Sequence, residues 1–579
     1  MTGHRGHPRR HWRWRPLGAP HPGGSALSTQ CASRDAPHLT EVGGGMGTPV
    51  SGPRSAQFWA APEPSAAAAA LTELASSFTV AMGRPVTTCR TWLDSFDLRL
   101  YRSGMALTAT AGPDSDGCTL ELSSSDGATV TAGPDTLGWP RLLAGLPDQL
   151  RPSLAPVLGV RALLPVVQAS GTSVPGRLLD AEGKTVLRVV HERPARISGS
   201  RDGLFGGVWL IPLRGYAAVG ERAGRIAQGA GLVRDGRSGY AAALRAAGLD
   251  AAANPRPAME PGLPAGVAVA RMLVSFLGDL DAAWDGTVAD IDIEFLHDFR
   301  VAVRRSRSAV KLLGDGLPAA LVAWGTPQLK WLGDLTTPSR DLDVLLQELP
   351  SLTAGLISGR PEDMEPLVLH LVRLRSEERR TLERGLRSAR FERFRSRWRT
   401  SLEGLATWDG QLRAGPTAKE LGVERLAAAD GRLLRRGSRI TVVSPAEDLH
   451  DLRKRAKELR YLTETCALLG NPADTRDAIK ELKALQDVLG TFQDSEAQRE
   501  AIHALATDMI RGGAPARTIL AMGEIAARLQ EDQDSSRAKF AATFERFARR
   551  SGQRRTAWPG RPRAAPARAA AVASGGAAR

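Results

Sequence analysis

Two periods of apolar and polar positions divide this chain. Between about 266 and 548 the apolar residues recur every three or four positions in runs long enough for helices. Between about 70 and 250 they come in short β-prone blocks separated by polar turn residues. The helical pattern predicts elements at about 266–284, across Leu296–Lys311, at 318–336, from Arg340 onward, through 363–406, at 418–436, across Leu449–Arg460, at 474–490 and from Asp494 to about 547. The shorter blocks predict strands at Ser77–Val80, Thr87–Asp94, Ala106–Ala111, Thr119–Ser123, Ala128–Ala132, Lys184–Glu192 and Gly207–Leu213, with Leu71–Ser77 read as a first strand. Asp116-Gly117 and Asp126-Gly127 stand where hairpin turns are needed, and Leu137–Leu146 and Tyr240–Ala247 read as helices. Residues 1–65 and 549–579 have no sustained period and read as disordered tails. The stretch 251–265, with Pro255, Pro257, Pro261 and Pro264, reads as a linker.

The helical half repeats itself. Leu296-His297-Asp298-Phe299-Arg300 returns 153 residues later as Leu449-His450-Asp451-Leu452-Arg453, and the register carries Arg304 onto Lys457, Arg307 onto Arg460 and Lys330 onto Lys483. An offset kept across separate blocks indicates a duplicated structural unit, so residues 266–410 and 411–548 are expected to form two four-helix bundles related by pseudo-symmetry. At about 100° per residue, His297, Arg300, Arg304, Arg307 and Lys311 share an arc of roughly 80° beside the apolar arc of Leu296, Phe299, Val303 and Val310. His450, Arg453, Lys457 and Arg460 repeat it, with Lys454 adjoining. A solvated face is the ordinary reading of a charge run. Here the like charges at helical spacing cost stability unless something offsets them, and the stripe borders the packing face, so an elongated polyanion is the expected ligand. Arginine suits that task because its fork binds two phosphate oxygens at once. Three roles stand open for His297 and His450: a donor to phosphate, a packed residue bonded to a neighbour, or a metal ligand, the last disfavoured by the cations beside each ring. Asp298, Asp334, Asp341, Asp343, Asp451, Asp487, Asp494 and Glu496 read as groups that orient arginines or cap helices, Arg340–Asp343 lying at an expected helix start. A second face, Arg373, Arg380, Arg384 and Arg387, either adds to the groove or is a solvated ion-pair surface.

The two His-x-x-Arg-x-x-x-[Arg/Lys]-x-x-Arg helices, with Leu332-Gly333…Arg340-Asp341-Leu342-Asp343-Val344 and Leu489-Gly490…Asp494, resemble the CHAD domain, the conserved-histidine α-helical domain, over about 265–545. Thr337 departs from the glycine that the second copy keeps as Gly490. The resemblance implies a noncatalytic domain that binds inorganic polyphosphate in a basic groove between its bundles, in some members at polyphosphate granules. By position it names His297, Arg300, Arg304, Arg307, Lys311, Lys330, His450, Arg453, Lys454, Lys457, Arg460 and Lys483 as ligand-binding residues. Thr91-Trp92-Leu93-Asp94 with Leu98, Leu100, Gly104 and Leu107, and Pro212-Leu213-Arg214-Gly215-Tyr216, resemble a CYTH domain, the triphosphate-tunnel fold, over 66–250. That family's Glu-x-Glu-x-Lys strand and basic ladder are missing here: Leu71–Ser77 holds Glu73 alone, and Leu107-Thr108-Ala109-Thr110 stands where a Leu-Arg-x-Arg strand is usual. A degenerate, inert α+β domain is therefore expected. The Arg188, His191, Arg193 and Arg196 cluster is either a solvated strand edge or a remnant of anion binding.

Length and charge fit this picture. A chain of 579 residues exceeds one ordinary core, and a formal charge of +15 favours acidic partners. Cys31, Cys89, Cys118 and Cys466 show no paired spacing, which favours a reducing cytoplasm. The Arg-rich N-terminus lacks an apolar signal core, His4, His7, His11 and His21 are too irregular for a metal site, and Met46 is an alternative start. No apolar run spans a membrane. No cofactor is called for. The few aromatic residues and the lack of a stacking motif argue against nucleic acid. The rival reading is a metal-dependent triphosphatase or polyphosphate-processing enzyme in the 66–250 domain, with Glu73 as its test residue. Binding of a polyanion is expected to weaken with salt and to tighten as pH falls through the histidine range.

Overall fold

The computed structural model describes residues 56–550 apart from 112–116, 126–127, 136–137, 199, 201–202, 237, 250–258, 358 and 408–414. Most of the expected N-terminal tail, the C-terminal tail from 551, both Asp-Gly turns and the first half of the proposed linker lie outside the described residues. The chain divides into two compact units, the first running to Pro255 and taking in Ala282–Phe295, the second formed by Arg256–Asp281 and the residues from Leu296 onward.

Among its described residues the first unit is built on ten strands, paired antiparallel throughout. They are β1 (Gln57–Ala60), β2 (Thr79–Met82), β3 (Val86–Asp94), β4 (Met105–Ala111), β5 (Cys118–Ser124), β6 (Thr129–Asp135), β7 (Leu164–Leu179), β8 (Thr185–Ile197), β9 (Leu204–Pro212) and β10 (Val233–Arg234). Their order is β10-β1-β9-β8-β7-β3-β4-β5-β6, with β2 on β7. Five short helices accompany them: α1 (Ala66–Ser77), α2 (Arg99–Arg102), α3 (Arg151–Leu158), α4 (Ala217–Gly229) and α5 (Tyr240–Ala246). This sheet-based α+β architecture is consistent with a CYTH-like domain.

Three expectations for this unit need correction. Leu71–Ser77 belongs to α1, whose Ala67, Ala70 and Leu74 are buried at helical spacing, so Glu73 stands exposed on a helix rather than on a metal-binding strand. The first strand among the described residues, Gln57-Phe58-Trp59-Ala60, lies within the expected disordered tail, and Phe58 and Trp59 are in the core. Of the expected helix Leu137–Leu146, the described residues 138–146 are not α-helical; they hold a β-bridge from Arg141 to Leu163 and one 3₁₀ turn at Leu143–Gly145, and the helix follows as α3. The 16-residue β7 was not foreseen, because Pro165, Pro175 and its glycines disguise a strand.

The residues that carry the CYTH resemblance act as a clamp. Asp94 is fully buried and accepts backbone N–H bonds from Ser95, Leu100 and Tyr101 and the phenol of Tyr240 at 3.2 Å. Burial holds its carboxyl up at about 6. On the sheet, Arg90 is neutralised by buried Glu192 at 3.1 Å, which also accepts Trp209 Nε1 at 3.1 Å and the Ser173 hydroxyl. Arg188, Arg193 and Arg196 are exposed along β8.

The second unit is helical: α6 (Ala265–Val288, whose last turns belong to the first unit), α7 (Ile293–Leu313), α8 (Ala319–Thr353), α9 (Glu365–Leu386), α10 (Ala389–Ala406), α11 (Ala418–Gly437), α12 (Ala446–Thr465), α13 (Pro472–Arg511) and α14 (Ala516–Arg549). The 153-residue offset holds in the fold, since α11, α12 and α13 each begin that far after α6, α7 and α8. The sequence marks several starts chemically. The Thr417 hydroxyl accepts Glu420 N–H in a capping box, and Asn471 Oδ1 accepts Ala473 N–H at 2.8 Å.

The expected break between 336 and 340 does not exist. Helix α8 runs unbroken through Pro327, Pro338 and Pro350, and α13 likewise runs through Asp494 to Arg511. The 363–406 stretch is instead two helices, separated where Ser388 caps α10 through Phe391 N–H. The far halves of α8, α9, α13 and α14 pool Leu345, Leu349, Leu367, Leu371, Ile502, Met522 and Ile525 in one apolar cluster, so the two repeats share a core. The end of the proposed linker is packed: Met259 is buried, with its N–H on Thr465 O. Among the described residues no helix is long and apolar enough to cross a membrane.

Candidate functional site

Leu296, Phe299, Val303 and Val310 are buried on α7, as are Leu449, Leu452, Ala456 and Leu459 on α12. That packing turns the neighbouring basic arcs of the two helices toward one another. Six of the twelve residues proposed as ligand-binding (Arg304, Arg307, Lys311, Lys330, Lys454 and Lys457) line a single cavity of about 940 Å³ between α7, α12 and the N-terminal half of α8.

The cations differ in how they are balanced. Lys311 pairs with Glu458 across to α12, Lys330 with Asp334 at 2.6 Å, and Lys454 with Asp451 at 3.5 Å. Among the described residues Arg304, Arg307 and Lys457 make no direct ion pair with a carboxylate, Asp334 and Asp494 acting on Arg307 and Lys457 only from beyond contact. The Arg304 guanidinium lies over the Tyr461 ring, 5.8 Å from its centre. Arg307 rests against α8 at Gly333, where a Cβ would stand 2.6 Å from its Nη1. Lys457 is half-buried beneath these charges. Burial, then Arg453 and Arg304, then Arg460, push its ammonium down to about 8, opposed by Asp494.

The other six lie outside the cavity lining. Arg300 is half-buried and its Nη1 donates to Thr336 Oγ1 at 3.1 Å, Thr337 Oγ1 at 2.9 Å and Gly333 O at 3.4 Å, binding α7 to α8. Its counterpart Arg453 instead donates to Asp494 Oδ1 at 2.8 Å, beside Gly490. Thr337 thus supplies in the first repeat an acceptor that a carboxylate supplies in the second. Arg460 stacks on Tyr461 with its guanidinium 5.5 Å from the ring centre, near Glu464 at 3.9 Å. His297 is half-buried, His450 Nδ1 bonds to Gln493 Oε1, and Lys483 is exposed on α13.

Several acidic residues orient cations as expected, but the cap assigned to Arg340–Asp343 falls in mid-helix. There Asp343 is buried and takes Arg375 Nε at 2.6 Å. On α9, Arg373 pairs with Glu377 and Arg387 with Glu383, both at 2.9 Å and well exposed, which is the solvated surface. Among the described residues no group of three His, Cys, Asp or Glu is placed to hold a metal ion. Sequence reasoning missed Tyr461 as a cavity residue, and with it Glu458 and an apolar wall from α8. The i+4 spacing of Tyr461 from Lys457 was the available signal.

Residues 271–503 match the family model of the CHAD domain. Two uncharacterised proteins of Mycobacterium tuberculosis, Rv2226 and MT2285, are each 29% identical over 229 residues, 38% of this chain, and the match spans 41% of their own length. The CHAD domain from the plant Ricinus communis superposes with a TM-score of 0.43 at 23% identity, over 50% of this chain and 94% of that one. PptA from Streptomyces chartreusis does so with a TM-score of 0.40 at 17% identity, over 49% and 100%. The helices that hold the two basic arcs, from Arg271 to His503, are a CHAD domain.

Proposed function

We propose that the protein binds inorganic polyphosphate, without turning it over, in the cavity between α7, α8 and α12. The observation that carries this reading is the convergence of Arg304, Arg307 and Lys457 on one space where, among the described residues, none of the three is held in a direct ion pair. Holding like charges together costs free energy that a bound polyanion repays through phosphate contacts and counterion release. Lys311, Lys330 and Lys454 extend the basic lining and exchange a carboxylate for a phosphate when the anion enters. The CHAD resemblance points to the same ligand. It extends, again as part of this proposal, to a cytoplasmic protein that associates with polyphosphate granules.

The rival triphosphatase reading draws no support from Glu73 or Arg90 of the first unit. Glu73 is on an exposed helix face, and Arg90 is already neutralised by Glu192. The test is a calorimetric titration of the full chain with long-chain polyphosphate at several salt concentrations, beside an Arg304→Ala, Lys457→Ala double variant. Affinity should fall steeply with salt, and the variant should bind at least about tenfold more weakly with a shallower salt slope. Affinity indifferent to both salt and the double substitution would overturn the proposal.

A further inference from the structure

The cavity is not uniformly basic. The rest of its lining includes an apolar patch on the first turns of α8, Ala319, Val322 and Ala323, backed by the nearly buried Val310, Leu317 and Leu329. A hydrated inorganic chain gains nothing from such a surface, whereas sites for small organic ligands are mainly apolar with a few placed polar groups. The wall also meets hydrogen-bonding groups. Ser308 and Thr326 reach the space, Asp315 stands at its edge paired to Arg425, and the Tyr461 ring lies beneath Arg304. Thr326 already donates to Val322 O at 2.8 Å and Asp315 is paired with Arg425, but both keep acceptor capacity that a pure hydrocarbon would leave unused. A flat heterocycle with a sugar has an apolar face for the wall and donors and acceptors for Ser308, Thr326 and Asp315.

We infer that the cavity takes a nucleoside polyphosphate, with its phosphates on Arg304, Arg307 and Lys457 and its nucleoside against Val322 and Ala323. This rests on the phosphate-binding reading above and narrows it. The volume, about 940 Å³, holds such a ligand with room for water.

The experiment compares adenosine 5′-tetraphosphate with inorganic tetraphosphate, by calorimetry on the full chain. Two wall variants go with it, Val322→Ser and Ala323→Phe; the second occupies only the space beside Val322 assigned to the nucleoside, from an exposed position, and removes no core atoms. Burying one face of the nucleoside should make the adenosine ester bind about tenfold or more tightly than the inorganic anion. Both wall variants should erase that difference while leaving inorganic tetraphosphate unchanged, and Arg304→Ala should weaken both ligands. Equal or weaker binding of the adenosine ester overturns this inference and leaves the phosphate reading intact. Binding of neither ligand overturns both. A gain for farnesyl diphosphate over inorganic diphosphate matching the adenosine gain assigns the wall to an alkyl chain and overturns the nucleoside assignment.

Discussion

Gly333 and Thr337 show how single positions on one turn of α8 serve different ends. Gly333 lets the Arg307 guanidinium lie against the helix. Gly333→Ala should leave stability equal or raise it by up to about 1 kcal/mol, from helix propensity, while displacing Arg307 and weakening polyphosphate binding; urea unfolding and calorimetry separate the two effects. Thr337→Gly should do the reverse, costing about 1–2 kcal/mol for a mid-helix glycine and a lost hydrogen bond to Arg300, with affinity kept. Lys457 is a cavity cation with a displaced pKa, faced by Arg453 and Arg460 on its own helix, Arg304 on α7 and Asp494 on α13. Its folded pKa of about 8 lies below the ordinary 10.5. Charging it therefore opposes folding below about pH 8, and that penalty is relieved as pH rises from 8 toward 10.5. A bound polyanion favours the charged form, so affinity should fall as pH rises through 8. In Lys457→Arg that fall should disappear, a change calorimetry in buffers of different ionisation enthalpy will register as lost proton uptake.

At the scale of elements, α8 is the organising helix. Trp324 and Trp331, two turns apart, receive Arg397 and Arg390 of α10 with guanidinium-to-ring distances of 4.3 and 4.2 Å, while buried Asp343 fastens Arg375 of α9. Asp343→Ala should cost about 3–5 kcal/mol, because it strands Arg375 in a partly buried position; chemical denaturation measures it. Pro338 locally favours a helix end, because it lacks a backbone donor and crowds the preceding turn. Neighbouring helices pack along its whole length and outweigh that local cost. The same override placed Leu71–Ser77 in a helix, since three buried residues at α-helical spacing outweighed a short β-like run.

For the whole molecule, the division into units does not follow the chain. The first unit takes in Ala282–Phe295, where Asp292 caps α7 through Glu294 and Phe295 N–H and faces Arg161 at 3.4 Å, both side chains almost wholly buried. Arg161→Ala should cost about 3–5 kcal/mol by stranding a buried carboxylate, seen as a lowered midpoint in thermal unfolding. A cut at residue 260 would strip the same partner, so ligand binding is best measured on the full chain.

The duplicated helices, their offset and the identity of the basic stripe were legible in the sequence, because helical period and charge are local properties that the repeat prints twice. Which part of that stripe lines the cavity was decided only in three dimensions. Arg300 and Arg453 sit on the same arc as Arg304 and Lys457, but the packing of α7 on α8 and of α12 on α13 turns them into ties between helices. Only the folded chain brings α8's apolar residues into one cavity with the arginines, since no local pattern records which surface a distant helix will face.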